Sequence, residues 1–521
     1  MPRAAVRAAA LLLATAATLT GCTAGPSDRP TVGLLGEAGT AARPSDTPLP
    51  SPVPLPPLEE QSGNRIDWAD CTEDVRNRLG QAPRTDLRFE CGQFTSLLDS
   101  PSNPGQGVLR VAVLRVGSGP VPLVVVNDSA GEPGTLHAAR MAAQVPPQLL
   151  ERFSLIGMDR RGTGASDPVE CVDPELRRRI VAFDLAPVDS RRLSSLHRLI
   201  GQATQECLID LENRLPAYDS WRAAGDLDQL RRRLGVSRLN AIGRGDGSQV
   251  LTMFVERYPH AVGRFVLDGA PDGTTDAIGQ ADGRATAAEQ VFDAFAADCT
   301  SRPGCPLGAN PEETVRTLLA QLRQRPLSTP GIEVSSGVAA HALLIGLSDR
   351  SRWTELAQAL AQAQQGDGKG LAELVRPLVL GGTDDPPRFD GALANACNDT
   401  TTRVPLQRLE VIAEEWINKY PLFGSYFAQQ LLLCVQWPST RPLPQPLAAQ
   451  APPILVLGTA LDPVTPLPGT TRTAEQLTSG VLVTWQGNGH GAFPTSPCVT
   501  AAVQGFLVEG KVPSSQTVCP P

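Results

Sequence analysis

The chain is short of basic charge: its net charge is −8 at pH 7 and no stripe of Lys and Arg runs along it, which excludes nucleic acid as the expected partner. None of its cysteine spacings is a C-x-x-C pair, and His137, His197, His260 and His341 fall at no metal-ligand spacing, so neither a metal nor a cofactor is expected. The apolar run from Ala8 to Leu19 is too short to span a membrane as a stable anchor. No internal repeat is apparent, and the length suits one large domain or a domain carrying a substantial insertion.

At the N-terminus stand a charged start at Arg3 and Arg7, the apolar run, and then Leu19-Thr20-Gly21-Cys22, a small-residue cleavage site in the right order. This resembles a bacterial lipoprotein signal. Residues 1–21 would be removed and the Cys22 thiol lipidated, leaving an exported protein tethered to the outer face of the cell membrane; an ordinary signal peptide that happens to contain a cysteine is the alternative. Residues 22–57 are rich in Pro, Ser, Thr and Gly with almost no aromatic residues, the composition of an extended, disordered spacer. Setting Cys22 aside from the eleven cysteines leaves ten: Cys71, Cys91, Cys171, Cys207, Cys299, Cys305, Cys397, Cys434, Cys498 and Cys519. An even remainder in an exported chain reads as disulfides, and pairing neighbours in order closes five modest loops.

Short β-type runs alternate with helical patterns, the signature of a mostly parallel sheet with crossover helices. Strands are expected at 108–114, 123–126, 153–158, 239–242, 264–267, 454–457 and 481–484, and helices at 223–234 and 248–258. Between 274 and 450 the strand-like runs fade and helical windows dominate, as at 312–324, 352–365 and 409–416. The expected organisation is therefore an α/β core over 58–273, a helical cap over 274–450, and a core that resumes over 451–521.

The run Leu239-Asn240-Ala241-Ile242 leads into Gly243-Arg244-Gly245-Asp246-Gly247. This has the form of the G-x-S-x-G nucleophile elbow, in which flanking glycines let a strand turn sharply into a helix and the central serine presents its hydroxyl. Gly245 has nothing to attack with. In an α/β-hydrolase the serine is followed along the chain by an acid and then a histidine, each on a loop at the carboxyl edge of the sheet. Asp462, in Leu461-Asp462-Pro463, follows the strand at 454–457, and His490, in Gly489-His490-Gly491, follows the strand at 481–484. Singly these read as a turn and a surface loop; after consecutive strands and in this order they read as the retained acid and base of a triad.

With these residues in hand, the chain resembles the secreted actinobacterial family of tripeptidyl-aminopeptidase-like α/β-hydrolases. The resemblance is carried by Phe153 to Ser166, by Asp226 to Arg231 with Leu234-Gly235, by Val266-Leu267-Asp268-Gly269, and by the C-terminus from Asp462-Pro463 through His490 to Ser496-Pro497-Cys498 and Cys519. It implies an α/β-hydrolase fold, a mostly parallel sheet with a helical cap insertion, and a peptide- or ester-hydrolysing ancestry. Three departures stand out. The nucleophile position is Gly245. The loop expected to supply oxyanion-hole amides reads Asn127-Asp128-Ser129-Ala130-Gly131-Glu132, where the family has Asn-Pro and a glycine-rich run. The residue whose N–H is the other oxyanion donor is Asp246. Carboxylates near a developing oxyanion oppose its charge.

Neither neighbouring serine offers a ready substitute: Ser248 falls one turn into the next helix, where it suits helix-end hydrogen bonding, and Ser129 belongs to the oxyanion loop with no base to activate it. Arg160, Arg161 or Arg244 are candidate partners for Asp246 or Glu132, while Arg177 to Arg179 and Arg231 to Arg233 read as solvated helix faces. The leading expectation is a catalytically degenerate hydrolase homologue that retains a capped pocket for a peptide, lipid or envelope-component ligand; acidic residues at 128, 132 and 246 would favour a cationic group. An active peptidase or esterase using His490 and Asp462 with water or an unusual nucleophile is the alternative, and an envelope assembly role the third.

Overall fold

Val121 to Val126, Phe153 to Met158 and Val262 to Asp268 are buried along their whole length, which is what strands covered by helices on both faces require. They form the middle of a ten-stranded sheet. We number its eight principal strands β1 Phe89–Leu97, β2 Val108–Val116, β3 Val121–Val126, β4 Phe153–Met158, β5 Leu239–Arg244, β6 Val262–Asp268, β7 Ile454–Leu461 and β8 Gly480–Asn488. In the computed structural model the described residues are 53–521 apart from 64, 81–83, 85, 383–384, 439–440 and 515–516. The 1–21 signal, Cys22 and most of the spacer expected over 22–57 lie outside the described residues.

Across the sheet the order is β1-β2-β4-β3-β5-β6-β7-β8, with Ala69–Asp70 outside β1 and Thr517–Cys519 outside β8. β2 is antiparallel to both neighbours, whereas every pair from β4 to β8 is parallel. This is the α/β-hydrolase topology. Its functional consequence lies at β3 and β5: the chain leaves β3 toward β4 on one side, and β5 takes the other side. The loops after β3 and β5 therefore face each other across the crevice where open α/β sheets bind their ligands.

All seven expected strands are present, each extended by at most a few residues. β1 was not expected, because Glu90, Gly92 and Gln93 interrupt its apolar pattern; it pairs near the sheet's edge, where alternation replaces a continuous apolar run. The helical layer departs from the expected boundary. Helices fill most of 277–430, with a short antiparallel hairpin at Leu327–Thr329 and Ile332–Val334, but a single hydrophobic cluster joins Val169 to Tyr218 with Ala281 to Trp437. The helices Pro174–Ala182 and Ser190–Leu211 thus belong with the later ones, and the layer is built from two stretches of chain. Leu193, Leu196, Leu199, Ile200, Ala203 and Cys207 form the buried stripe of the longer helix, at the spacing an amphipathic helix needs.

Five disulfides link sequence neighbours, as expected: Cys71–Cys91, Cys171–Cys207, Cys299–Cys305, Cys397–Cys434 and Cys498–Cys519. Such bonds mark a chain that matures in an oxidising compartment, outside the cytoplasm. Among the described residues no helix is long and apolar enough to cross a membrane.

Candidate active site

β5 ends at Arg244, Gly245 takes φ +55° and ψ −125°, and a helix starts at Asp246. The bend of a nucleophile elbow is therefore intact. Close packing maintains it: a Cβ on Gly247 would run into the Val126 carbonyl at the end of β3. A Cβ on Gly245 would fall inside the carboxylate of Asp128. The space a serine side chain would use is occupied by an aspartate from the opposite loop.

Asp128 makes two bonds there. Its Oδ1 accepts the Asp246 backbone N–H at 3.0 Å, and its Oδ2 lies 2.9 Å from His490 Nε2. On the other ring edge, His490 Nδ1 is 2.9 Å from Asp462 Oδ2. Asp462 is itself fixed by the N–H groups of Val464 and Thr465, each 2.8 Å from Oδ1, and by the Thr465 hydroxyl at 2.8 Å from Oδ2. The structure thus brings Gly245, Asp462 and His490 together, and adds Asp128 as the group facing the histidine.

Burial by itself would lower the His490 pKa, but the charges of Asp462 and Asp128 outweigh it and, against the opposition of Arg244, push it up to about 10. Burial would raise Asp128; the His490 charge and hydrogen bond, helped by Arg244 and the Asp246 amide, bring it down to about 2. The two shifts agree in sense: an imidazolium is held between two carboxylates. A ring in that state has no lone pair with which to accept a proton.

Asp246 mirrors Asp128. Its Oδ1 accepts the Ser129 backbone N–H at 2.8 Å, and its Oδ2 accepts the Ser129 hydroxyl at 2.5 Å. In this fold an oxyanion hole needs the N–H after the nucleophile and an N–H from the loop after β3. Both are consumed, each by a carboxylate from the segment that carries the other. Arg160, buried, sits 2.7 Å from Asp246 Oδ1 and donates to Asn395 Oδ1 of the helix Arg388–Asp399 at 3.0 Å, tying the elbow to the helical layer. Asn127 donates to the Glu132 carbonyl at 2.9 Å and so shapes the loop from within.

Ser248 donates to the Gly243 carbonyl at 2.9 Å, a local bond at the helix start, as expected. Of the arginines proposed to meet Asp246 or Glu132, only Arg160 does: Arg161 is buried against Asp226, and Arg244 donates to the His490 carbonyl at 2.7 Å. Glu132 is met instead by His137 and Arg140, and its pKa falls to about 2 because these contacts exceed the cost of burial. The expected acidic pocket is thereby corrected, since each of its three carboxylates has a cationic partner. Arg177 is also not solvated; it is buried in an ion pair with Asp390 at 2.7 Å. The crevice beside Asp128, Ser129 and Glu132 offers only about 20 Å³ and is also lined by Arg388.

Two contributors escaped sequence reasoning. Asp268, at the end of β6, accepts the N–H groups of Ala492 at 2.8 Å and Phe493 at 3.0 Å, holding the histidine loop; burial raises its pKa to about 6 despite those bonds. The signal was its place in Val266-Leu267-Asp268-Gly269. Ser348, at the end of the helix Ser336–Leu347, accepts the His490 N–H at 2.8 Å, and nothing in the sequence marked it.

Comparison with known proteins agrees with this architecture. Residues 420–519 match the model of the family described as TAP-like protein. The chain is 26% identical over 488 residues to serine protease Hip1 of Mycobacterium tuberculosis, covering 88% of this chain and 92% of that protein. It is 28% identical over 482 residues to carboxylesterase B of the same species, covering 87% and 90%. To the tripeptidyl aminopeptidase of Streptomyces lividans it is 23% identical over 485 residues, covering 88% and 87%.

Proposed function

We propose that this TAP-like α/β-hydrolase chain is an exported cell-envelope lipoprotein, anchored through Cys22, that binds a peptide, lipid or envelope-component ligand without hydrolysing it. The observation that carries the reading is Asp128. One carboxylate occupies the place of the missing serine hydroxyl, takes up the oxyanion amide of Asp246, and keeps His490 protonated. Removing one oxyanion donor alone typically costs about 3–4 kcal/mol of transition-state stabilisation. Here the nucleophile is absent, and the base and both oxyanion amides are each engaged by a carboxylate.

The test uses a fluorophosphonate probe together with aminoacyl-peptide and short-ester substrates on the full chain. The unmodified protein should neither label nor turn over substrate. Gly245→Ser should also stay unlabelled, because the added side chain collides with Asp128. Gly245→Ser combined with Asp128→Ala should label, and a further His490→Ala should abolish the labelling. Turnover by the unmodified chain that disappears in His490→Ala would instead establish the alternative, a hydrolase working through His490 and Asp462.

A further inference from the structure

A cavity within the helical layer is lined by residues that take no part in the site above. It offers about 590 Å³ and opens to solvent between the helices Pro174–Ala182 and Ser190–Leu211, the end of the helix Pro311–Gln324 and the start of the helix Ser336–Leu347. Four arginines line it, Arg179, Arg192, Arg198 and Arg323, against one carboxylate, Asp184. The local formal balance is +4 − 1 = +3, on a chain whose net charge is −8.

Arg179 and Arg198 are exposed and Arg192 is half-buried, and few of their donors are used within the chain. A guanidinium carries five N–H donors. Arg323 uses Nε on Asp184 Oδ2 at 2.6 Å, Arg198 uses one donor on the Ser195 hydroxyl at 3.0 Å, and Arg192 uses one on the Asp184 carbonyl. Arg192 Nε is buried without a partner, and its guanidinium carbon stands 5.5 Å from the Phe183 ring centroid. Arg179 makes no hydrogen bond or ion pair among the described residues. Asp184 has little left to offer, since its carboxylate also accepts the Ala186 N–H at 2.9 Å and the Ser425 hydroxyl at 3.0 Å. Two buried arginines elsewhere are matched by acids, Arg177 by Asp390 and Arg161 by Asp226.

Beside the arginines the wall is apolar, with Phe183, Leu199 and Leu322. We propose that this cavity binds a phosphorylated amphiphile, its phosphate monoester head against Arg179, Arg192 and Arg198 and its apolar substituent against Phe183, Leu199 and Leu322. Four guanidiniums against one carboxylate leave a net positive lining that attracts an anion, and planar guanidinium forks match phosphate oxygens. The inference is independent of whether the site at Asp128 is active. The phosphate ester reaches the cavity either as a free molecule or as a headgroup in a membrane.

The experiment uses the full chain with Cys22→Ser, so that the anchor plays no part, and titrates it calorimetrically with octyl phosphate, octanoate and inorganic phosphate. Octyl phosphate should bind at least about tenfold more tightly than either of the others, because octanoate lacks the phosphate and inorganic phosphate lacks the apolar chain. Arg179→Glu with Arg198→Glu, which breaks no ion pair and should leave Tm unchanged, should weaken octyl phosphate by at least about tenfold. Sedimentation with phosphatidylcholine vesicles containing phosphatidic acid separates the sources: pelleting lost in the double variant assigns a membrane headgroup, and octyl phosphate binding without pelleting assigns a free ligand. Octyl phosphate binding no tighter than octanoate, equal binding by the variant, or no binding by either phosphate source overturns the proposal.

Discussion

Asp128, His490 and Asp462 act as one charged unit, so their protonation governs each other. The folded pKa of His490, about 10, lies above its ordinary 6.5, so its contribution to stability is complete below 6.5 and is lost as pH rises through 10. Asp128, lowered to about 2 from 3.8, contributes fully above 3.8 and loses that contribution as pH falls through 2. The window of greatest support is therefore mildly acidic, and unfolding free energy should decline on the alkaline side. Asp128→Asn removes one of the two charges that hold the proton, so the alkaline decline should flatten and the His490 ring should titrate at lower pH. Imidazole titration by nuclear magnetic resonance measures this directly; an unchanged midpoint in Asp128→Asn would contradict the pairing.

Among elements, the segment after β4 is what holds the sheet edge to the helices. Arg161, buried, meets both Asp226 oxygens at 2.6 and 2.8 Å, and also donates to the carbonyls of Leu97, Leu98 and Ala217. It thus joins the end of β1, the loop after β4 and the helix Ser220–Leu234 that carries Asp226. Breaking such a pair from one side leaves a buried charge without its partner, so Asp226→Ala should cost about 3–5 kcal/mol in denaturant unfolding. The elements were legible wherever burial on both faces writes a continuous apolar run, as in β3, β4 and β6. They were least legible at β1, with its polar interruptions, and in the helices 174–182 and 190–211, whose arginines drew attention away from the apolar stripe beneath. In the site, Asp462 and His490 could be read from their place after consecutive strands. The position of the Asp128 carboxylate could not: sequence shows that Gly245 leaves a space, whereas what enters it depends on which loop faces it across the sheet.

On the scale of the whole molecule, the helical layer drawn from two stretches is stapled separately, by Cys171–Cys207 in the first and Cys397–Cys434 in the second. Replacing Cys171 and Cys207 by serine opens a loop of sequence separation 36, and the chain-entropy model puts the loss at about 3–4 kcal/mol. Thermal unfolding of that variant should fall accordingly, and an unchanged Tm would mean that packing alone secures the first stretch. The crowding at Gly245 also ties together two positions far apart in the sequence. A hydroxymethyl at 245 and a carboxylate from 128 claim one volume, so a protein holding both in this arrangement does not fit together. The two positions are therefore coupled: a serine at 245 needs a smaller residue, or a displaced carboxylate, at 128. A double-mutant cycle over Gly245→Ser and Asp128→Ala, read in unfolding free energy, measures how strongly the volume on one side of the sheet crevice dictates the residue on the other.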